Sequence, residues 1–481
     1  MKRYISLSVI IMAFVIMITG CASDDGNYEY MTLNEIEISG MEESYLVEQF
    51  SNLSINLTLQ GKESTGNYEY LWYLYQVNIN NDPDTLSFEK DLNAEITVSP
   101  GDYDLVFQVK DEKKGLFKNV RSHVSVINSY SAGLAILSEV NGFANISFIN
   151  SVNNVSKNVF ETVNGYKAGR NPLGLSLPGF GSNEVKQMLV IATEDGCVAT
   201  DPIDFRAMFD FSTMFYFPSK PGIIQVLYRT SLPGSEFIIV DGGVYTRYIT
   251  YVSDPFVKYG AKFGGDYEIA PFSLYGDNYA FFYDQKHQRF LANNYGVLVP
   301  VSALPDNPFF DPTNMKMKMI WGDCIYSNTA QIRAVMEDST GKRFFIMAEK
   351  LSGFDENWNR YYQVVPMGKL ELNQEGINST KTFTISSSDP NFLYYANGNK
   401  IHCVSGNTGN IISTYTLPQN IDYMEFDTDS SPLTLYVGIS NGLGSADSGS
   451  VYFLEKSVDG TLSEIKHFDG VCGRVVDFQK K

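Results

Sequence analysis

From Ser131 onward, pairs of short apolar strands recur with Gly, Asn or Asp in the turn between partners. No other feature restricts the fold as tightly. Leu134 to Leu137 turns at Asn141-Gly142 into Ala144 to Ile149. Met188 to Ala192 turns at Glu194-Asp195-Gly196 into Cys197 to Ala199, and Phe237 to Val240 turns at Asp241-Gly242-Gly243 into Val244-Tyr245. Tyr279 to Tyr283 precedes Arg289 to Leu291, and Ile332 to Met336 precedes Arg343 to Ala348. Phe392 to Ala396 turns at Asn397-Gly398 into Ile401 to Cys403, and Leu433 to Gly438 precedes Val451 to Leu454. These turn residues suit the positive φ angles of two-residue hairpins. The pairs are spaced by roughly 45 to 55 residues, about seven units in all. One such unit cannot bury its own faces, so neighbours must supply the core. The expected fold is a β-propeller of about seven blades over residues 129–481. Gly473 to Phe478 is expected to close the ring against residues near 131. There is no Trp-Asp blade signature, so the repeats are divergent.

Residues 31–128 have a different texture of short alternating strands. Ser54 to Leu59 alternates polar and apolar, and Tyr68 to Leu74 carries a central Trp72. After a turn at Ser99-Pro100-Gly101-Asp102, Tyr103, Leu105, Phe107 and Val109 share one face of a strand. A turn over Asp111 to Gly115 leads to a last strand from Val120 to Ile127. Regularly spaced short strands over this length predict a β-sandwich. The whole chain is therefore expected to be all-β. An aromatic content of 14% fits that expectation, because aromatic rings pack well on pleated surfaces.

The N-terminus carries a separate signal. Lys2 and Arg3 precede an uncharged apolar run from Tyr4 to Gly20, which ends Ile18-Thr19-Gly20-Cys21. The run is short for a membrane-spanning helix, which needs about 20 residues. Charged start, apolar middle and small residues before a cysteine are similar to a bacterial lipoprotein signal. That resemblance implies cleavage of residues 1–20 and acylation of Cys21, palmitate being one such chain. Two or more chains give a stable anchor. Ser23, Asp24 and Asp25 follow directly, in an acidic tether over 21–30. They resemble the export tag of surface lipoproteins in the Bacteroidetes. The implied location is the outer membrane, lipid-anchored and facing the cell exterior.

The sandwich carries a resemblance of its own. Trp72 in a strand, then Pro100-Gly101-Asp102-Tyr103 leading into Leu105, Phe107, Val109 and Asp111, resembles a PKD domain, an immunoglobulin-like fold. The departure is Tyr73-Leu74-Tyr75-Gln76 after the Trp, where that family usually turns at Gly-Asp-Gly. With the lipoprotein signal and the propeller region, the chain resembles the PKD-like family of surface lipoproteins. These accompany SusC/SusD-type nutrient uptake systems. The implied partners are a SusC/SusD-like outer-membrane transporter, neighbouring lipoproteins, and a peptide or glycan ligand.

Charge excludes one partner class. The formal net charge is -19, and loss of Lys2 and Arg3 with the leader takes it to -21. Nucleic acid demands the opposite balance. Beyond Cys21, Cys197, Cys324, Cys403 and Cys472 lie far apart, and so do the four histidines. Neither set has metal-ligand or disulfide-scaffold spacing. No H-E-x-x-H, G-x-S-x-G or G-x-x-x-x-G-K motif is present. No metal, cofactor or catalytic residue is assigned. Carboxylates are abundant, and a glycosidase pair is defined by distance in space rather than by sequence.

Two polar loops carry aromatics. One is Asn307-Pro308-Phe309-Phe310-Asp311-Pro312, leading to Trp321; the other runs from Phe354 to Tyr362. Either the rings fold back into the core or they form a ligand platform. Trp358, Tyr361, Trp321 and Arg360 are the candidate contacts. The expected function is non-enzymatic capture or positioning of nutrient for the transporter. The rivals are a surface glycoside hydrolase or lyase with a propeller catalytic domain, and a purely structural docking subunit.

Overall fold

The computed structural model describes residues 36–481, apart from 50, 61–66, 78–82, 99, 114, 129, 131, 178–187, 218–223, 230–234, 249–257, 273, 275–278, 305–306, 327–328, 428–432 and 443. Cys21, Ser23, Asp24 and Asp25 lie outside the described residues. The chain divides into two compact units, Met1–Val126 and Ile127–Lys481. Both are built from antiparallel β-sheet. No helix among the described residues is long and apolar enough to cross a membrane.

In the first unit, a five-stranded sheet runs in the order Ser44–Glu48, Leu116–Ile127, Gly101–Asp111, Tyr68–Gln76, Asp84–Ser87. Two small sheets accompany it, Glu37–Ser39 with Thr58–Gln60 and Asn52–Ile55 with Leu92–Glu95. The alternation of Tyr103, Leu105, Phe107 and Val109 puts all four into one core. Trp72 sits at its centre, fully buried, 4.7 Å from the Phe107 ring. Its indole N–H donates to the Glu89 carbonyl at 3.1 Å. Ser54 to Leu59, expected as one strand, is split between the two small sheets. At the break the Leu57 N–H donates to Asp91 Oδ1 at 2.8 Å, and the Leu57 carbonyl accepts from Lys90 Nζ at 2.8 Å. Side chains satisfy the backbone where the chain changes ladders.

The second unit contains seven sheets among the described residues, all but the first built only from consecutive strands. Their central hairpins are the seven strand pairs visible in the sequence. Gly133–Val140 with Phe143–Asn150 lies in the first, Leu189–Thr193 with Gly196–Thr200 in the second, and Ser235–Val240 with Gly243–Tyr248 in the third. Phe281–Asp284 with Arg289–Asn294 lies in the fourth and Ala330–Asp338 with Arg343–Phe354 in the fifth. Asp389–Asn397 with Lys400–Ser405 lies in the sixth, and Thr434–Ser440 with Gly449–Lys456 in the seventh. Asn141-Gly142 and Asp241-Gly242 both turn with φ positive at each residue, as a two-residue hairpin of this hand requires.

The first sheet is completed from the far end of the chain. Arg474–Lys480 pairs antiparallel with Gly133–Val140, with Leu134 opposite Lys480. Arg474 forms an ion pair with Glu139, and Lys480 Nζ reaches Asp427 Oδ2 at 2.7 Å. Among the described residues, seven hydrophobic clusters lie between successive sheets. Leu137, Ile146 and Leu189 join the first sheet to the second, and Val190, Ala199 and Ile238 the second to the third. Phe237 with Phe282 joins the third to the fourth, and Phe281 with Ile332 the fourth to the fifth. Val335 with Leu393 joins the fifth to the sixth, and Tyr394 with Leu435 the sixth to the seventh. The remaining cluster sets Val451 and Phe453 of the seventh against Leu134, Ile136 and Phe478 of the first. Odd and even residues of one strand serve different clusters, so every sheet is apolar on both faces. The four cysteines Cys197, Cys324, Cys403 and Cys472 are free and buried.

Candidate functional site

The fifth sheet ends in its longest hairpin, Arg343–Phe354 with Arg360–Leu372. Its loop is tied by Asp355, whose Oδ1 accepts from the backbone N–H groups of Asn357 and Asn359, each at 2.8 Å. These bonds, that from Asn359 foremost, hold the Asp355 carboxyl below the usual carboxylate range. The tied loop presents Trp358, 81% exposed and left-handed at φ 63°. Its ring lies 6.0 Å from that of Phe354, which is 51% exposed.

Arg360 opens the returning strand. Its guanidinium carbon lies 4.8 Å from the Phe354 ring centre, 5.0 Å from Tyr279 and 5.2 Å from Tyr295. No ion pair to Arg360 occurs among the described residues. Tyr279 packs edge-on to Tyr362 at 5.9 Å, and the Tyr362 hydroxyl bonds Asn294 Oδ1 at 3.2 Å. Burial raises the Tyr362 phenol above its ordinary value, so it is neutral at physiological pH. Tyr295 comes from the hairpin Arg289–Asn294 to Val297–Pro300 of the fourth sheet. It is 78% exposed at φ 50°, followed by Gly296 at φ 89°. It thus occupies the turn position held by Asn141 and Asp241 in the first and third sheets. An aromatic side chain there is disfavoured by about 1–2 kcal/mol of backbone strain. Non-glycine residues in such conformations cluster at functional sites. One left-handed aromatic, Tyr295, therefore lies against the arginine, and a second, Trp358, reaches the cluster through the Phe354 ring.

Of the four residues singled out from the sequence, Trp358 and Arg360 belong to this cluster, joined through Phe354. Tyr361 does not join it, since alternation puts it on the other face of the strand. There it lies over Gly353, where a Cβ would come within 2.7 Å of the Tyr361 hydroxyl oxygen. Trp321 is elsewhere. It is half-buried on Met317–Tyr326, at the opposite edge of the fifth sheet, against Phe383 at 6.3 Å. In register it aligns through Val335 and Phe345 with Leu370, nine positions along the last strand from Tyr361. That is a separation of roughly 30 Å along the strand. In the loop before it, Phe310 plugs the core and Phe309 stays exposed. The sequence reading missed Tyr295 and Tyr279; the left-handed turn signal of Tyr295-Gly296 was the available clue.

A second group of titratable residues lies on the first strands of several sheets. Ile421–Phe426 packs beside Phe383–Ser386 and beside Arg474–Lys480, which in turn packs beside Pro172–Ser176. Asp477 accepts from the Leu175 N–H at 2.7 Å and the Phe478 N–H at 2.9 Å. Burial nevertheless pushes its carboxyl up to about 6. Burial, then the charges of Asp477 and Asp323, hold Glu425 well above the ordinary range. Asp323, on the fifth sheet, is raised by burial as well. These acids retain protons where exposed carboxyls have lost them. Elsewhere, a small cavity between the second and third sheets is lined by Met188, Met214, Arg247 and Tyr259. Two of its polar groups share one carboxylate: Arg247 Nε meets Glu236 Oε1 at 2.7 Å, and the Tyr259 hydroxyl donates to the same oxygen.

Comparison with known proteins adds one family. A model of the PKD-like family matches residues 21–172, which spans the first unit and enters the first sheet of the second. No curated protein matches the chain. Among solved structures, a quinonprotein alcohol dehydrogenase-like protein from Bacteroides thetaiotaomicron is 14% identical with a TM-score of 0.36, covering 91% of this chain and 96% of that one. Sqt1 from Saccharomyces cerevisiae is 12% identical with a TM-score of 0.38, covering 64% of this chain and 87% of that one. The dihydro-heme d1 dehydrogenase NirN, in complex with DHE, is 11% identical with a TM-score of 0.40, covering 85% and 74% respectively. Superpositions this loose carry no weight for fold or activity.

Proposed function

We propose that this chain is a non-catalytic, lipid-anchored protein of the outer cell surface that captures peptide or glycan for a SusC/SusD-like transporter. The observation that carries the binding role is the aromatic cluster around Arg360, with Trp358 and Tyr295 held exposed in left-handed backbone. A strained, exposed aromatic adds little to stability, and exposed Trp, Tyr and Arg are the residues that dominate recognition surfaces. The scaffold would be a closed propeller of seven blades. Its support is the row of seven sheets, the cluster between each successive pair, and the pairing of Arg474–Lys480 with Gly133–Val140. The anchor rests on the sequence around Cys21, and the transporter on the PKD-like resemblance.

The test is a titration of the purified full-length protein, in detergent, with oligosaccharide and oligopeptide pools. Trp358→Ala is expected to weaken binding at least tenfold with an unchanged melting temperature. Binding unaltered by Trp358→Ala and Tyr295→Ala together sinks this site. No binding by the wild type favours a structural docking subunit instead. A second reading, a surface glycosidase or lyase, is favoured by Glu425 and Asp477, since perturbed carboxyls mark candidate acids and bases. Glycan cleavage abolished by Glu425→Gln would establish that reading.

A further inference from the structure

We propose that the site around Arg360 recognises a sugar carrying a carboxylate, a uronic-acid unit of a glycan; this rests on the reading of the cluster as a ligand platform. The chain has 55 acidic residues against 36 Lys and Arg, yet Arg360 is surrounded by rings rather than acids. Aromatic faces hold a guanidinium by its plane and leave its N–H groups along the rim. One side of this planar fork of donors is turned to the Tyr362 hydroxyl, and the rest, with no carboxylate of its own, matches an incoming carboxylate in bidentate fashion. The exposed rings of Trp358 and Tyr295 offer the flat apolar surface on which a pyranose ring stacks. A sugar ring bearing a carboxylate uses both halves of the site at once.

The adjoining strand edge argues against an extended peptide. Recognition by strand addition needs a row of free backbone groups. Arg360–Leu372 is the last strand of its sheet, but its Tyr362 carbonyl already accepts from Ser302 N at 2.7 Å. Further on, Asn307 Nδ2 bonds the Pro366 carbonyl at 3.3 Å, and Pro366 has no N–H to offer. The acidic surface does not forbid an acidic ligand. At 0.15 M salt its repulsion is screened within about 8 Å, whereas a contact pair at the site is not.

The test uses the full-length protein in affinity electrophoresis at 0.15 M salt, through gels containing polygalacturonate, alginate or hyaluronan. The matched controls are the same polymers with their carboxyls reduced to alcohols. At least one uronate polymer is expected to retard the protein, with at least tenfold weaker retardation by its reduced form. Arg360→Gln should lose that preference tenfold or more, and Arg360→Lys should restore only part of it. Circular dichroism melting of each variant separates lost binding from lost folding. No retardation by any of the three, or a preference that survives Arg360→Gln, overturns the proposal. Equal binding of native and reduced polymers, abolished by Trp358→Ala, also overturns it while leaving the platform itself intact. Retention of all binding by Trp358→Ala removes the platform reading with it.

Discussion

The two units bury their apolar residues in opposite ways. The first gathers its core into one cluster centred on Trp72. The second, among its described residues, spreads its core over seven clusters, each shared by two sheets. One large side chain therefore organises the whole of the first unit, and none does so in the second. In the second unit each sheet is needed by both neighbours, and damage passes along the row. The hairpin tips lie outside that scheme and are free to carry residues that stability alone would not choose.

Trp72 is where this contrast should be largest. Trp72→Ala removes a fully buried indole and its hydrogen bond to Glu89. The expected cost is about 3–5 kcal/mol. Calorimetry should show loss of the transition of the first unit with that of the second in place. A common downward shift of all unfolding would mean that the units melt as one, and would break the comparison.

The third sheet supplies the nearest equivalent in the second unit. Glu236 and Arg247 face each other across adjacent strands, and both are buried. Glu236→Gln leaves the guanidinium charged and without its counter-ion, a loss of about 3 kcal/mol or more. Because the second and fourth sheets lean on the third, the entire second unit should melt earlier in one transition. Separate early melting of the third sheet alone, seen by hydrogen exchange, would show that the sheets are less interdependent than their shared clusters imply.

A smaller effect is expected from Asp477. Its folded value of about 6 stands above the ordinary 3.8. A carboxyl that holds its proton more tightly when folded stabilises fully below the unfolded value, and that contribution is lost as pH climbs through the folded one. The second unit should therefore lose stability between about pH 4 and pH 6 from this group. Asp477→Asn should flatten that part of the profile and leave the first unit unaffected. An unchanged slope in chemical denaturation across that range would remove Asp477 as its source.

What could be read from the sequence follows the same division. The seven central hairpins were legible because Asn141-Gly142 and Asp241-Gly242 announce their own geometry. The outer strands were less so; Arg360–Leu372 is the longest strand among the described residues of the second unit but contains Pro366 and Gly368, which blur its pattern. Trp72 was recognisable as core from its strand and neighbours. Trp358 was the stronger candidate because Asp355, Asn357, Asn359 and Arg360 bracket it, yet Trp321, after a polar loop with aromatics, stayed beside it as a candidate. Register decides between them: it carries Trp321 to the far edge of the sheet and Trp358 to a hairpin tip. The convergence of Tyr279, Tyr295 and Phe354 on Arg360 joins positions up to 81 residues apart, from Tyr279 to Arg360, and no local pattern contains it.

The smallest stability effect is expected at Tyr295, and it separates scaffold from site most sharply. The turn Tyr295-Gly296 has the same two-residue form as Asn141-Gly142 and Asp241-Gly242. Tyr295→Asn installs the residue that this turn favours and relieves left-handed strain of about 1 kcal/mol. It also removes the ring beside Arg360, a cation–π contact of about 0.5–1 kcal/mol at an exposed position. The two terms oppose each other, so the melting temperature should stay nearly constant or rise slightly. Binding should fall, because the ring is one of the two exposed platforms. If Tyr295→Asn instead lowers stability markedly, Tyr295 is part of the packing between the fourth and fifth sheets. Its left-handed backbone would then be accounted for by the core and not by a ligand.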